Sequence, residues 1–155
     1  MTRSRILAAA ALLALTCLPP PSPAEAASCT VSAGSVAFGS FSPLTLANVD
    51  SNGSITVNCT DVASYTVALS TGSSGIYGSR YMVSGGNHLN YNLYSDAAYS
   101  QVWGDGNNGS STVSLSNPVN GQNNVHAVYG RIPLSSQRDA RVASYSDSIL
   151  VTVSY

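Results

Sequence analysis

The chain has no lysine, and after Glu25 it has no glutamate either. Charged residues make up only 8% of it, and the formal net charge is −1. Past residue 26 the cations are Arg80, Arg131, Arg138 and Arg141. The anions there are Asp50, Asp61, Asp96, Asp105, Asp139 and Asp147, so four minus six gives −2. That balance excludes the basic footprint of a nucleic-acid-binding protein. It also gives an anionic membrane surface nothing to attract. Past the N-terminal region no apolar run approaches the roughly 20 residues of a membrane-spanning helix. Histidine is limited to His88 and His126. Neither neighbours a serine in the strained Gly-x-Ser-x-Gly elbow of a hydrolase. With Asp96 they suggest a triad only on paper, because both occupy polar positions of alternating runs and read as solvated strand faces. The segment Asp105-Gly106-Asn107-Asn108-Gly109 lacks the alternating ligands and distal glutamate of a calcium loop, and it reads as a turn. The single tryptophan, Trp103, reads as a core aromatic before a glycine turn rather than a ligand contact. Arg80 and Arg131 are expected to pair with acidic residues or cap backbone carbonyls. No catalytic, cofactor-binding or metal-ligating residue is assigned.

What is present begins with a leader. Arg3 and Arg5 precede an apolar run over residues 6–18, a proline-rich break over residues 19–23, and then Ala24-Glu25-Ala26. This order is that of a secretory signal peptide cut after Ala26. The run of about 13 residues is too short to span a bilayer. Cys17 follows Thr16 rather than a small residue, which argues against lipoprotein processing. The expected organisation is a signal peptide over residues 1–26 and one domain over residues 27–155, an ordinary domain length.

Removing the leader removes Cys17 and leaves Cys29 and Cys59 in an oxidising compartment, where they are expected to form a disulfide. Two free thiols or a metal pair are the alternatives, and neither has supporting neighbours in the sequence. Closing that loop contributes roughly 3–4 kcal/mol in the chain-entropy description.

Almost every later segment alternates with period two, the signature of half-buried strands. Examples are Ser54-Ile55-Thr56-Val57-Asn58-Cys59, Tyr65-Thr66-Val67-Ala68-Leu69, and His88-Leu89-Asn90-Tyr91-Asn92-Leu93-Tyr94. Ser111-Thr112-Val113-Ser114-Leu115 and the terminal residues 148–155 follow the same rule, and residues 125–132 form a longer apolar run. Turns are expected at Asn52-Gly53, Gly72-Ser73-Ser74-Gly75, Gly85-Gly86-Asn87, residues 104–109 and Asn120-Gly121, where glycine and asparagine tolerate positive φ. No window shows helical spacing with caps. Short strands at regular intervals, one disulfide and no helices predict an all-β immunoglobulin-like sandwich or a barrel.

At this level of detail the sequence resembles the spore coat protein U family, which includes pilin subunits of the archaic chaperone–usher pathway. The resemblance is carried by Cys29-Thr30-Val31, by Val36-Ala37-Phe38-Gly39-Ser40-Phe41-Ser42-Pro43, and by Gly53-Ser54-Ile55-Thr56-Val57-Asn58-Cys59. It continues through Arg80-Tyr81-Met82, residues 89–96, Trp103-Gly104-Asp105-Gly106, Val128-Tyr129-Gly130-Arg131-Ile132-Pro133 and residues 145–155. It implies a pilin-type sandwich lacking its final strand, completed first by a periplasmic chaperone and then by a neighbouring subunit. A missing edge strand leaves unpaired backbone and an open apolar groove, and an added strand satisfies both. Ile149, Val151, Val153 and Tyr155 are then expected to form one wall of that groove.

The implied partners are a periplasmic pilus chaperone, an usher and neighbouring pilin subunits, with no nucleic acid and no membrane insertion. The implied location is the cell surface or pilus, reached through the periplasm. Only Ala27 and Ser28 precede Cys29 after the expected cut, a reach of about 7 Å at 3.3–3.4 Å per residue. A donor strand needs about 5–6 residues. The chain is therefore expected to accept a strand without offering one, as a terminal (tip) subunit does. An adhesin or binding module for a surface or glycan is a second reading, for which exposed tyrosines suit contact. A secreted hydrolase is a distant third.

Overall fold

A computed structural model describes residues 26–42, 47–137 and 140–155. All of the expected leader but Ala26, together with Pro43, Arg138 and Asp139, lies outside the described residues. The alternating segments become strands: β1 (Ser28–Ala33), β2 (Val49–Thr60), β3 (Ser64–Leu69), β4 (Tyr81–Ser84), β5 (Asn87–Asn90), β6 (Asn92–Tyr94), β7 (Val113–Ser116), β8 (Asn123–Ile132) and β9 (Val151–Ser154). They form antiparallel sheets in the orders β1-β2-β8-β6 and β7-β3-β9, with β4-β5 as a separate hairpin. The fold is all-β, a sandwich of the expected class. Ile55, Val57 and Cys59 from β2 face Tyr65, Val67 and Leu69 from β3, and all six are buried.

Cys29 and Cys59 stand directly opposite each other on β1 and β2, with Cα atoms 4.1 Å apart, and are joined by a disulfide. It closes a loop of 30 residues in sequence separation.

Three expectations about local structure need correction. Asn52-Gly53 is not a turn. It lies inside β2, with Asn52 opposite Tyr129 and Gly53 opposite Val128. Glycine is there for clearance: a Cβ at Gly53 would come within 2.8 Å of Val36 Cγ2. On β8, Gly130, which stands opposite Ser51, would meet Val36 at 2.5 Å and Phe38 at 2.9 Å. A glycine within a strand often marks such a close approach.

The second correction concerns residues 88–94, which do not form one strand. The chain leaves the β4–β5 hairpin after Asn90 and joins β8 from Asn92 onward, while Leu89, Tyr91 and Leu93 keep their inward phase. Thirdly, helix is not wholly absent. A single turn, α1 (Leu134–Gln137), follows Pro133, and 3₁₀ turns occupy Gly72–Ser74 and Tyr77–Ser79. Proline suits the first turn of a helix, where its missing N–H costs nothing.

Candidate functional site

One flank of the sandwich is open. Its first wall is residues 33–41, where the chain leaves β1 and crosses the glycines of β2 and β8, presenting Val36, Phe38 and Phe41. The second wall is the C-terminal arm, where Tyr145, Asp147, Ile149 and Val151 are half-buried and the residues between them exposed. Two cavities of about 410 and 510 Å³ run between these walls and share Val36, Phe38, Met82 and Tyr145. The floor of the first includes Ile55, Leu69, Leu93 and Val128, and that of the second Leu89 and Ile132.

Both walls end in strand edges without a neighbour. Among the described strands, β1 pairs only with β2, and β9 pairs only with β3. Val31 shows the consequence. It stands opposite Val57 and so shares its inward phase, yet Val57 is 0% exposed and Val31 46%. A strand's inward face is normally sealed by what lies across it. Here nothing in the described chain covers Val31 fully.

Of the residues predicted for this groove, Ile149 and Val151 line the first cavity. Val153 stands opposite Val67 and packs half-buried against the core. Tyr155 is 61% exposed, beyond the end of β9. Residues 36–43 carry part of the family resemblance, but nothing in their spacing marks them as a wall. The signal was available in the glycines, since Gly53 and Gly130 sit in strands where no turn is required.

A polar tie crosses the furrow floor. Tyr91 lies edge-on to Phe38, with ring centroids 6.0 Å apart, and its hydroxyl donates to Asp147 Oδ2 at 2.7 Å. Burial, reinforced by the Asp147 carboxylate, pushes the Tyr91 phenol well above its ordinary pKa. Asp147 Oδ1 accepts from Ser73 N, Ser73 Oγ and Ser148 N at 2.9, 2.7 and 2.8 Å. Gly72, at φ +63°, leaves room for that carboxylate, which a Cβ would strike. The C-terminal arm is thus fastened to the 3₁₀ turn from the inside. The result is an apolar trough between two edges that pair with no other described strand.

The model of the Spore Coat Protein U domain matches residues 15–152. The chain belongs to that family. The match begins within the segment expected to be leader. Among solved structures, this Spore Coat Protein U chain is similar to the CsuC–CsuE chaperone–tip adhesion subunit pre-assembly complex from archaic chaperone–usher Csu pili of Acinetobacter baumannii. The TM-score is 0.56 at 24% identity, covering 83% of this chain and 40% of that one. This likeness bears on the fold, and the chain spans well under half of the matched structure's length. No curated protein matches the chain.

The remaining chemistry-bearing residues of this family member lie away from the furrow or beneath it. Trp103 is fully buried and donates from Nε1 to Val67 O at 3.0 Å. Arg80 is fully buried too. It donates to Ser70 O from Nε and from one terminal nitrogen, to Trp103 O at 2.7 Å, and to Asn92 Oδ1 at 2.8 Å. It therefore caps carbonyls, one of the two roles expected of it. Arg131 takes the other, donating to both oxygens of Asp50 at 2.7 and 2.8 Å with its guanidinium 3.6 Å from the centre of the Tyr99 ring.

His88 is exposed and stacks on Tyr81, with centroids 4.1 Å apart. His126 is not simply solvated, because its Nε2 sits 2.8 Å from the Tyr65 hydroxyl and burial lowers its pKa. Asp105 accepts from Asn107 N at 2.9 Å, which makes residues 104–109 a self-bonded turn. Among the described residues, no three His, Cys, Asp or Glu side chains are grouped to hold a metal, and no helix is long and apolar enough to cross a membrane.

Proposed function

We propose that the chain is a secreted structural subunit of a bacterial surface fibre or coat, completed along its open flank by a strand from another polypeptide. The observation that carries this reading is the furrow between residues 33–41 and 140–151, apolar inside and bordered by two unpaired edges. Each apolar side chain that an incoming strand buried fully would contribute about 1.5–3 kcal/mol. The new backbone hydrogen bonds would add specificity of register. Nine residues fully extended at 3.3–3.4 Å each would reach about 30 Å, which is an upper bound for the first wall and for the extended segment that fits beside it.

A periplasmic chaperone supplies that segment first, an usher receives the complex, and a neighbouring subunit replaces the chaperone's strand. Membership of the Spore Coat Protein U domain family and the fold shared with a chaperone–tip subunit complex both support this sequence of events. The role is structural rather than catalytic. A terminal position in the fibre follows if the leader is cut after Ala26, since too little chain would then precede Cys29 to serve as a donor.

The central test is complementation in trans. Synthetic peptides of about nine residues with alternating apolar side chains are added to the purified chain, and aggregation and thermal midpoint are followed. The midpoint should rise with the alternating peptide and not with one of the same composition in scrambled order. A chain that is monomeric, stable and indifferent to both peptides would refute the reading. The terminal position has its own test, mass spectrometry of the mature N-terminus. A start more than about ten residues before Cys29 leaves room for a donor strand and removes the argument for a tip.

A further inference from the structure

The sequence contains three asparagine–glycine pairs, Asn52-Gly53, Asn108-Gly109 and Asn120-Gly121. Such a pair can cyclise. The glycine backbone nitrogen attacks the asparagine Cγ, the side-chain nitrogen leaves as ammonia, and a five-membered succinimide forms. Water then opens the ring at either carbonyl, giving aspartate from one opening and isoaspartate from the other. The ring closes only if the asparagine side chain can swing, the glycine N–H is uncommitted and the backbone between them can rotate.

The fold sorts the three pairs. Asn52-Gly53 is locked within β2, opposite Tyr129 and Val128, with Val36 packed against the Gly53 Cα. Rotation there would break the ladder and collide with a furrow wall. Asn120 is held at both ends of its amide, accepting from Asp61 N and donating to Asp61 Oδ1, each at 3.0 Å. The Gly121 nitrogen is already committed to Cys59 O at 3.0 Å.

Asn108-Gly109 has none of these restraints. Asn108 is exposed at φ +50°, Gly109 at φ +78° has open space where a Cβ would stand, and among the described residues no partner holds the Asn108 amide or the Gly109 N–H. The residues on either side are pinned instead. Ser110 N and Oγ both donate to Asn107 O, at 2.9 and 2.7 Å, and Gly106 N donates to Ser110 Oγ at 3.2 Å. The pair is the free tip of a fastened loop.

We propose that Asn108 is the site at which this chain deamidates in its folded state, through attack by Gly109 N. Each event adds one negative charge three residues from Asp105, and the isoaspartate product also lengthens the loop backbone by one methylene. In an extracellular subunit the product would accumulate with age. The argument is independent of what fills the furrow.

Incubation of the purified chain in mildly alkaline buffer, followed by peptide mapping that separates asparagine, aspartate and isoaspartate, tests this without any variant. In the folded chain, loss of Asn108 should run at least about tenfold faster than loss of Asn52 or Asn120, whose reaction waits on local opening. In urea the three rates should converge, because only the fold distinguishes them. Equal or faster loss at Asn52 or Asn120 in the folded chain would overturn the assignment, as would a tenfold spread that persists in urea.

Discussion

Around Arg80 the sandwich closes on itself, whereas between residues 33–41 and 140–151 it stays open. The closed region is organised by polar groups. One buried guanidinium ties the end of β3, the Trp103 segment and β6 together through Ser70 O, Trp103 O and Asn92 Oδ1. The open region is organised by apolar residues that are half-buried and by strand edges that end without a neighbour. A buried polar network has value only when all its members are satisfied, so it fixes one arrangement. An apolar trough tolerates many occupants of the right shape. The molecule is therefore rigid where it holds its own fold and permissive along the open furrow.

The largest blow to this contrast should come from Arg80→Met. It takes the guanidinium donors from Ser70 O and Trp103 O and one of the two donors from Asn92 Oδ1, and should cost about 3 kcal/mol or more. Arg80→Lys should recover only part of that, since an ammonium cannot reproduce the planar fork. The only tryptophan, Trp103, is fully buried beside this network, so its fluorescence reports the urea midpoint directly. A midpoint unchanged in Arg80→Met would mean that the closed region is held by packing alone.

Removing the disulfide in a Cys29→Ala, Cys59→Ala double variant should cost about 3 kcal/mol by releasing the unfolded chain. It acts on both regions, because β1 leads directly into the first furrow wall and pairs with only one strand. Peptide complementation should weaken by more than the drop in stability accounts for. Equal losses would show that the wall holds its place without the crosslink.

Much of this architecture was legible in advance, and the exceptions have physical causes. The second half of β2 and all of β3 alternate cleanly because each buries one face, β8 shows as a longer apolar run, and Cys29 and Cys59 stand directly opposite each other. Asn52-Gly53 misled because the same glycine that permits a turn also permits another strand to lie on top of it. Residues 88–94 alternate without interruption, yet period two is blind to a change of hydrogen-bonding partner, which happens at Tyr91. For Arg80 a carbonyl-capping role was among those expected, but its burial carried no signal, since a buried arginine and a solvated one have the same spacing. Asp147 did carry one. It is a carboxylate in the inward phase of the C-terminal arm, and such a residue needs a partner, found in Tyr91 and Ser73.

A change inside the furrow should separate folding from completion. Ile149→Asp alters a half-buried position, and the empty chain should lose less than about 1 kcal/mol. The filled state should suffer far more, because a charge would then be buried without a counterion. Binding of an alternating peptide should fall below detection while the Trp103 fluorescence of the empty chain stays native. If peptide binding survives, this arm is not a wall of the occupied site.

The smallest effects lie in two partly exposed polar contacts, and acid can tell their sources apart. Burial keeps the His126 pKa below its ordinary 6.5, so the unfolded chain binds a proton there more readily than the folded one. That contribution to stability is intact above 6.5 and declines as pH falls below it. The hydrogen bond from Arg131 holds the Asp50 carboxyl below 3.8, so its contribution is present above that value and disappears only in stronger acid. Since Asp50 is 39% exposed, the Asp50–Arg131 pair should be worth only about 0.2–1 kcal/mol and should weaken with added salt. A urea midpoint measured across pH should therefore fall in two steps. His126→Gln, which keeps an acceptor for the Tyr65 hydroxyl, should flatten the upper one, and Asp50→Asn the lower. If His126→Gln left the upper step in place, the Tyr65–His126 contact would not be a site of coupled protonation.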